Sequence, residues 1–311
     1  MPKRKRTSPM AVCTSSAPPW TELPRDLTAN ILRRLGVVDI LENAQKVCTT
    51  WRTVCKDPAM WRVIDIRYNG EVRDCSMMCR HAVDLSQGQL IDLHMENFGD
   101  SETLLYVCKR SRNLRRLSLA CCDDVSGKAL TEAVKKLPQL EELHLIIMFG
   151  VRSRHLKTIG KSCPMLKSFT FNLTGHRHPH LMGTIDDDLR ADVLWEGSED
   201  EYFMEEPLYS KLALAIAKTM PNLCRLQLFA NYMKNDGLQA LLDGCPRLES
   251  LDIRQCFLVD LSGDLGKRCF KQIKNLRLPF DSVDDYRWDA AQKRVVTGCI
   301  FASAFISQIS A

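Results

Sequence analysis

A six-residue pattern, L-x-x-L-x-L with apolar substitutions, recurs through most of this 311-residue chain, and nothing else restricts its fold so severely. It is met at Leu90-Leu93-Met95, Leu114-Leu117-Leu119, Leu140-Leu143-Leu145, Leu166-Phe169-Phe171, Leu223-Leu226-Leu228, Leu248-Leu251-Ile253 and Ile273-Leu276-Leu278. The first positions lie 24, 26, 26, 57, 25 and 25 residues apart. The segments between them, such as SGKALTEAVKKL, SRHLKTIGKSC and DGLQALLDGC, carry apolar residues at helical spacing. Each unit is therefore a strand followed by a helix. Leu137-Pro138, Cys163-Pro164, Met220-Pro221 and Cys245-Pro246 stand just upstream of strands; proline ends the helix and favours an extended backbone at the same point in each copy. One such unit cannot bury its apolar faces alone, so the units must stack into an α/β solenoid, with parallel strands on the concave face and helices on the convex face. The 57-residue interval marks an insertion.

In this pattern the leucines point into the core, and strand alternation sends the residues between them to the concave surface. Candidate partner contacts there are Arg116, Ser118, Glu142, His144, Ile146, Thr170, Arg225, Gln227, Phe229, Asp252, Arg254 and Arg277. The set mixes both charge signs with exposed apolar residues. Phe229 and the arginines are of the types that become interface anchors, and others of the set are simply solubilising.

Residues 20–66 have a different texture. Pro24 stands at a helix start, Leu27, Ile31, Leu32 and Leu35 line one helix face, and Gly36 stops it. Asp39 and Glu42 read as a capping-box start to a second helix, striped by Ile40, Leu41, Ala44, Val47, Cys48 and Trp51. A third turn ends near Asp57-Pro58. Three helices in about 40 residues make a small core that needs a neighbour to cover its remaining apolar face.

The runs ELPRDLTANILRRLG, DILENAQKVCTTWR and CKDPAMWRVIDI resemble an F-box throughout, with its opening Leu-Pro, Val-Cys-x-x-Trp and closing Trp. The wording LENAQKVC and CKDPAMWR is similar to plant F-box proteins with leucine-rich repeats, of the Skp-interacting type. The Cys-Pro pairs, with Cys122, Asn231 and Cys256 after their strands, resemble the cysteine-containing class of repeat; Met148, Thr174 and Asp281 depart from it. The resemblance implies a small three-helix F-box followed by a leucine-rich-repeat solenoid. It also implies a substrate-recognition subunit of an SCF-type cullin-RING ubiquitin ligase, whose F-box docks a Skp adaptor while the repeats hold an unidentified target protein. Matching F-box positions assign adaptor binding to Leu23, Pro24, Ile31, Leu32, Leu35, Ile40, Leu41, Val47, Cys48 and Trp51, several of which must also build the module's own core. A non-degradative interaction scaffold would need the same surfaces and stays open as the alternative.

The expected organisation is a basic tail at 1–19, the F-box and a lead-in strand at 20–66, repeats at 67–280 with the insertion at about 175–207, and a C-terminal tail at 281–311. Lys3 to Arg6 supply four of the positive charges, and the remainder of 43 Lys+Arg against 38 Asp+Glu is nearly balanced. The basic run reads either as a nuclear import signal or as a solvated tail, so nucleus and cytoplasm are both expected locations; a nucleic-acid binder is not expected. From Ile185 to Glu206 ten acidic residues face one arginine, so that stretch reads either as a flexible spacer or, with Trp195, Tyr202 and Phe203, as an element that reaches over the concave face or docks a basic partner.

No secretory leader follows Met1, so the fourteen cysteines read as reduced, mostly buried thiols. Cys75, Cys79, Cys121 and Cys122 lack zinc spacing, and His176, His178 and His180 have no matching ligand set. The longest apolar stretch, Val295 to Ile306, is shorter than a bilayer span. Walker, dinucleotide, HExxH and serine-elbow patterns are missing from the sequence. A non-catalytic receptor with no cofactor and no metal is the expectation.

Overall fold

The computed structural model describes residues 23–68, 70, 74–148, 150–172 and 208–286. The basic segment 1–19, the insertion 175–207 with its histidines and aromatic residues, and residues 287–311 lie outside the described residues.

Eight strands form one parallel sheet in chain order: β1 (Val63–Arg67), β2 (Asp92–Glu96), β3 (Arg116–Ala120), β4 (Glu142–Ile146), β5 (Ser168–Asn172), β6 (Arg225–Gln227), β7 (Ser250–Asp252) and β8 (Asn275–Arg277). Sequential parallel order requires a crossover after every strand, and helices provide it: α5 (Cys75–Leu85), α6 (Ser101–Arg110), α7 (Gly127–Val134), α8 (Ser153–Ser162), α9 (Leu208–Thr219), α10 (Asn235–Gly244) and α11 (Asp264–Gln272). Register is uniform. Leu93, Leu117, Leu143, Phe169, Leu226, Leu251 and Leu276 pair in succession along the sheet, and every one but Leu276 at the end is buried. One apolar core runs unbroken from Leu32 to Ile273.

Local chemistry explains the boundaries. Asp74, Asp100 and Ser126 cap α5, α6 and α7 by accepting hydrogen bonds from Met77 N (2.8 Å), Thr103 N (2.7 Å) and Ala129 N (3.1 Å). The helices α8 and α10 pass into Cys163 and Cys245 just before proline. Just past β2, β3 and β4, at Asn97, Cys121 and Ile147, and three residues past β6 and β7, at Ala230 and Gln255, the backbone turns through positive φ, and there the N–H continues the ladder to the next repeat. One position further, the thiols of Cys122 and Cys256 donate to Met95 O (3.6 Å) and Leu228 O (2.9 Å) of the preceding repeat. Cysteine at this position thus ties neighbouring units together.

The long interval leaves the sheet intact. Ser168 pairs directly with Arg225, so the long interval between β5 and β6 displaces no strand. A Cβ on Gly160 would lie 2.2 Å from Thr219 Oγ1, and one on Gly244 would lie 2.3 Å from Ala217 O. The missing side chains let α8 and α10 close on α9, which keeps the repeat spacing across the insertion.

At the N-terminal end, α1 (Arg25–Leu32) is followed by α2 (Val37–Asp39), a π-helical turn at Ile40–Ala44, α3 (Gln45–Val47) and α4 (Thr49–Cys55). The expected capping box at Asp39 is not formed: helical backbone already begins at Val37, Asp39 itself is helical, and its side chain caps nothing. The expected single stripe from Ile40 to Trp51 is likewise divided at Cys48, whose backbone is extended and whose Sγ accepts from Trp51 N at 3.4 Å to start α4. A 3-10 turn at Pro58–Trp61 then leads into β1. Trp61 is buried, and its Nε1 donates to Cys55 O at 2.8 Å. The module's core is thereby continuous with that of the first repeat.

Candidate functional site

Two surfaces stand out, one on the helical module and one on the sheet. Helix α1 sends Thr28 and Leu32 inward and turns Leu27 and Ile31 outward, each 47% exposed; Leu35 beyond its end is 39% exposed and Val47 59%. Leu27 and Ile31, spaced i, i+4, lie along one row of the helix, and Leu35 follows at the same sequence spacing just past its end. Aliphatic side chains held in water this way mark an interaction surface rather than a core. The row is firmly mounted: Thr28 Oγ1 donates to Pro24 O at 3.2 Å, and Arg25 bridges Asp57 at 2.9 Å.

Pro24 is exposed beside this row, while Leu23 and Trp51 are half-buried. Leu32, Ile40 and Leu41 are buried in the module's own core, which corrects their expected place in a contact surface. Cys48 is half-buried and serves as the cap of α4. Leu27 shares a stripe with the expected contacts Ile31 and Leu35 but is missing from them, because those contacts follow the matching F-box positions. In the fold Thr28 takes the inward place beside Leu32, and Leu27 and Ile31 are left outside.

The concave face is more enclosed than its sequence suggests. Arg116, Arg225 and Arg277 are exposed, and Ser118, Glu142, His144, Gln227 and Asp252 are half-buried. Ile146, Thr170, Phe229 and Arg254 are buried, which corrects the expectation that Phe229 in particular lies open. Ile146 packs with Ala120 and Ile147. Thr170 lies between His144 Nδ1 at 2.8 Å and Gln227 Oε1 at 3.5 Å. The side chain of Tyr286 covers Phe229, the rings stacked at a centroid distance of 3.7 Å.

Arg254 is held by Asp252 (2.8 Å) and by Asp285, and its Nη1 also donates to Ser282 O at 2.9 Å. A polar chain thus crosses the sheet from His144 through Thr170, Gln227, Asp252 and Arg254 to Asp285 and Arg277. Nearer the N-terminal end, Arg116 bridges Asp92 at 2.8 Å and Arg225 bridges Glu142 at 3.3 Å. Charges of both signs are therefore mostly paired within the face, so it favours a partner of mixed charge over a polyanion.

Burial lowers the pKa of His144, against the opposing pull of nearby Glu142; burial and then the neighbouring Arg154 and Arg152 lower that of His155. A histidine whose folded pKa lies below its unfolded value binds more proton when unfolded. Stability is then undiminished above the unfolded pKa of about 6.5 and falls as pH drops below it. Denaturant midpoints should decline from about pH 7 to pH 5, and His144→Gln should make the decline shallower. An unchanged slope would exclude His144 as its source.

The twelve described cysteines are all free thiols. Burial pushes Cys75 up to about 11 and Cys79, Cys108, Cys122, Cys163, Cys245 and Cys256 up to about 12, so these behave as small apolar side chains and not as nucleophiles. Among the described residues no group of three or more His, Cys, Asp or Glu side chains could hold a metal ion, and no helix is long and apolar enough to cross a membrane.

A strand–helix solenoid that carries a helical module with a water-facing aliphatic row defines a leucine-rich-repeat protein with an added N-terminal helical module. The F-box-like family profile matches residues 20–67. F-box protein SKIP19 of Arabidopsis thaliana is 45% identical over 289 residues, covering 88% of this chain and 85% of that protein. The putative F-box/LRR-repeat protein 21 of Arabidopsis thaliana is 43% identical over 279 residues, 87% of this chain and 84% of the relative. With the putative F-box/LRR-repeat protein 23 of the same plant, identity is 44% over 270 residues, 85% of this chain and 54% of that longer protein. The chain belongs to the plant F-box/leucine-rich-repeat family.

Proposed function

We propose that this protein is the substrate-recognition subunit of an SCF-type cullin-RING ubiquitin ligase, with the helical module docking a Skp adaptor and the repeats holding the target protein. The observation that carries this reading is the exposed row Leu27, Ile31 and Leu35 within the segment that matches the F-box-like family. Leu23, Pro24, Val47 and Trp51 flank it in the proposed adaptor interface. On the concave face, Arg116, Ser118, Glu142, His144, Arg225 and Gln227 are the proposed target contacts. Catalysis belongs to other subunits in this reading. The receptor acts by proximity, since holding a target lysine near a charged ubiquitin carrier raises its effective concentration.

Co-purification of the intact chain with a recombinant plant Skp adaptor tests the assignment. A stoichiometric complex on size exclusion is expected. A folded chain that elutes apart from the adaptor would leave a repeat scaffold without ligase assembly as the better description.

A further inference from the structure

Asn172 at the end of β5, and Phe229 and Arg254 two residues past β6 and β7, stand at the same register position in three neighbouring repeats, and together they grip the segment that follows β8. Each contact has its own chemistry. Asn172 Oδ1 accepts from Phe229 N at 3.1 Å, which fixes the carboxamide and presents its Nδ2 to Tyr286 Oη at 2.7 Å. Phe229 lies flat against the Tyr286 ring, with 10° between the planes. Arg254, only 3% exposed, is oriented by Asp252 and spends its remaining donors on Ser282 O and the Asp285 carboxylate. Its guanidinium sits 5.7 Å from the Phe229 centroid and 5.9 Å from that of Tyr286.

The repeat pattern does not require these three side chains. The same position carries Glu96, Ala120 and Ile146 in the earlier repeats. Nor does the segment do what a simple end cap would do. A cap covers the apolar edge of the last strand, yet Phe280 beside β8 is 81% exposed and Leu276 within β8 is only half-buried. Residues 282–286 instead reach back across the concave side as far as β5. Their hold is modest, because Asp285 is half-exposed and its ion pairs to Arg254 and Arg277 are screened by water.

We propose that Asn172, Phe229 and Arg254 form a peptide-binding site for a segment in which a carboxylate residue is followed by a tyrosine, and that residues 282–286 of this chain occupy it in cis. The arginine takes the carboxylate and a backbone carbonyl, the phenylalanine takes the ring, and the asparagine takes the phenol oxygen. The proposal rests on the reading of the concave face as the target surface and gives it a ligand class. A target bearing this pair displaces the chain's own segment when its further contacts outweigh the advantage of tethering, an effective concentration on the order of millimolar.

The test uses the full chain and a fluorescein-labelled synthetic peptide of residues 281–286, Asp-Ser-Val-Asp-Asp-Tyr, followed by fluorescence anisotropy. Tyr286→Ala empties the site, so it should bind the peptide at least ~10-fold more tightly than the intact chain, in which the tethered copy competes. Adding Arg254→Gln to that variant should remove the gain. Should Tyr286→Ala not fold, Asp285→Asn releases the ion pair while keeping the ring in place, and the same two comparisons apply. A folded variant with no gain, or a gain indifferent to Arg254→Gln, would overturn the proposal and make the segment a fixed part of the fold. Adaptor co-purification with the same preparations separates the two readings, because loss of the ligase assignment would leave peptide binding unchanged.

Discussion

Leu27→Asp combined with Ile31→Lys is expected to abolish adaptor binding while leaving the protein folded. The two side chains are half in water already, so folding gains little from them. An interface that buries the exposed half of each gains about 0.8–1.5 kcal/mol from it. Loss of both therefore weakens binding by about 2 kcal/mol, roughly thirtyfold, and burying the new charges adds to that. The substitutions are chosen to spare α1. An acidic residue suits its first turn and a basic residue its last, and the pair stands at i, i+4 where opposite charges attract. Isothermal titration with the adaptor, alongside circular dichroism melting, separates the two effects. Near-parental affinity in the double variant would move the adaptor interface off this row.

Trp61→Ala is expected to have the larger effect on stability. Trp61 is buried where the 3-10 turn meets β1, within the core shared by the helical module and the first repeat. Removing a buried indole costs about 3–5 kcal/mol. In addition, Cys55 O loses the donor that now satisfies it. Against a total stability of about 5–15 kcal/mol the module should unfold first, with the more distant repeats persisting, because stacked units depend mainly on their nearest neighbours. Trp61→Phe should fall between parent and alanine variant, and the half-buried Trp51 should tolerate alanine better. Denaturant unfolding followed by hydrogen exchange would resolve this order. A Trp61→Ala midpoint close to the parental value would show that the module and the solenoid do not share their stability.

The solenoid was legible before any coordinates because its cause is periodic. Leucine at a fixed offset repeats seven times, with helical stripes between the copies and a proline just before four of the strands, and each copy corroborates the others. The helical module was less legible at the level of single residues. Its aliphatic residues are dense enough that inward and outward faces look alike: Leu27, Ile31, Leu32 and Leu35 share one stripe in the sequence, and of the four only Leu32 turns inward. Cys48 shows the same limit, since its role as a cap depends on an extended backbone that local spacing does not reveal.

What the amino-acid order determined by itself, then, was the strand–helix unit, its stacking, the parallel sheet and the residues that face its concave side, all set by interactions within about 25 residues. Whether those facing residues meet water was decided only by tertiary structure. Tyr286 lies 114 positions from the Asn172 it contacts and 57 from the Phe229 it covers, and no periodic pattern announces either contact. The segment after β8 folds back over β5 to β7. Apolar and charged groups there, which water would otherwise solvate, are paired with one another instead.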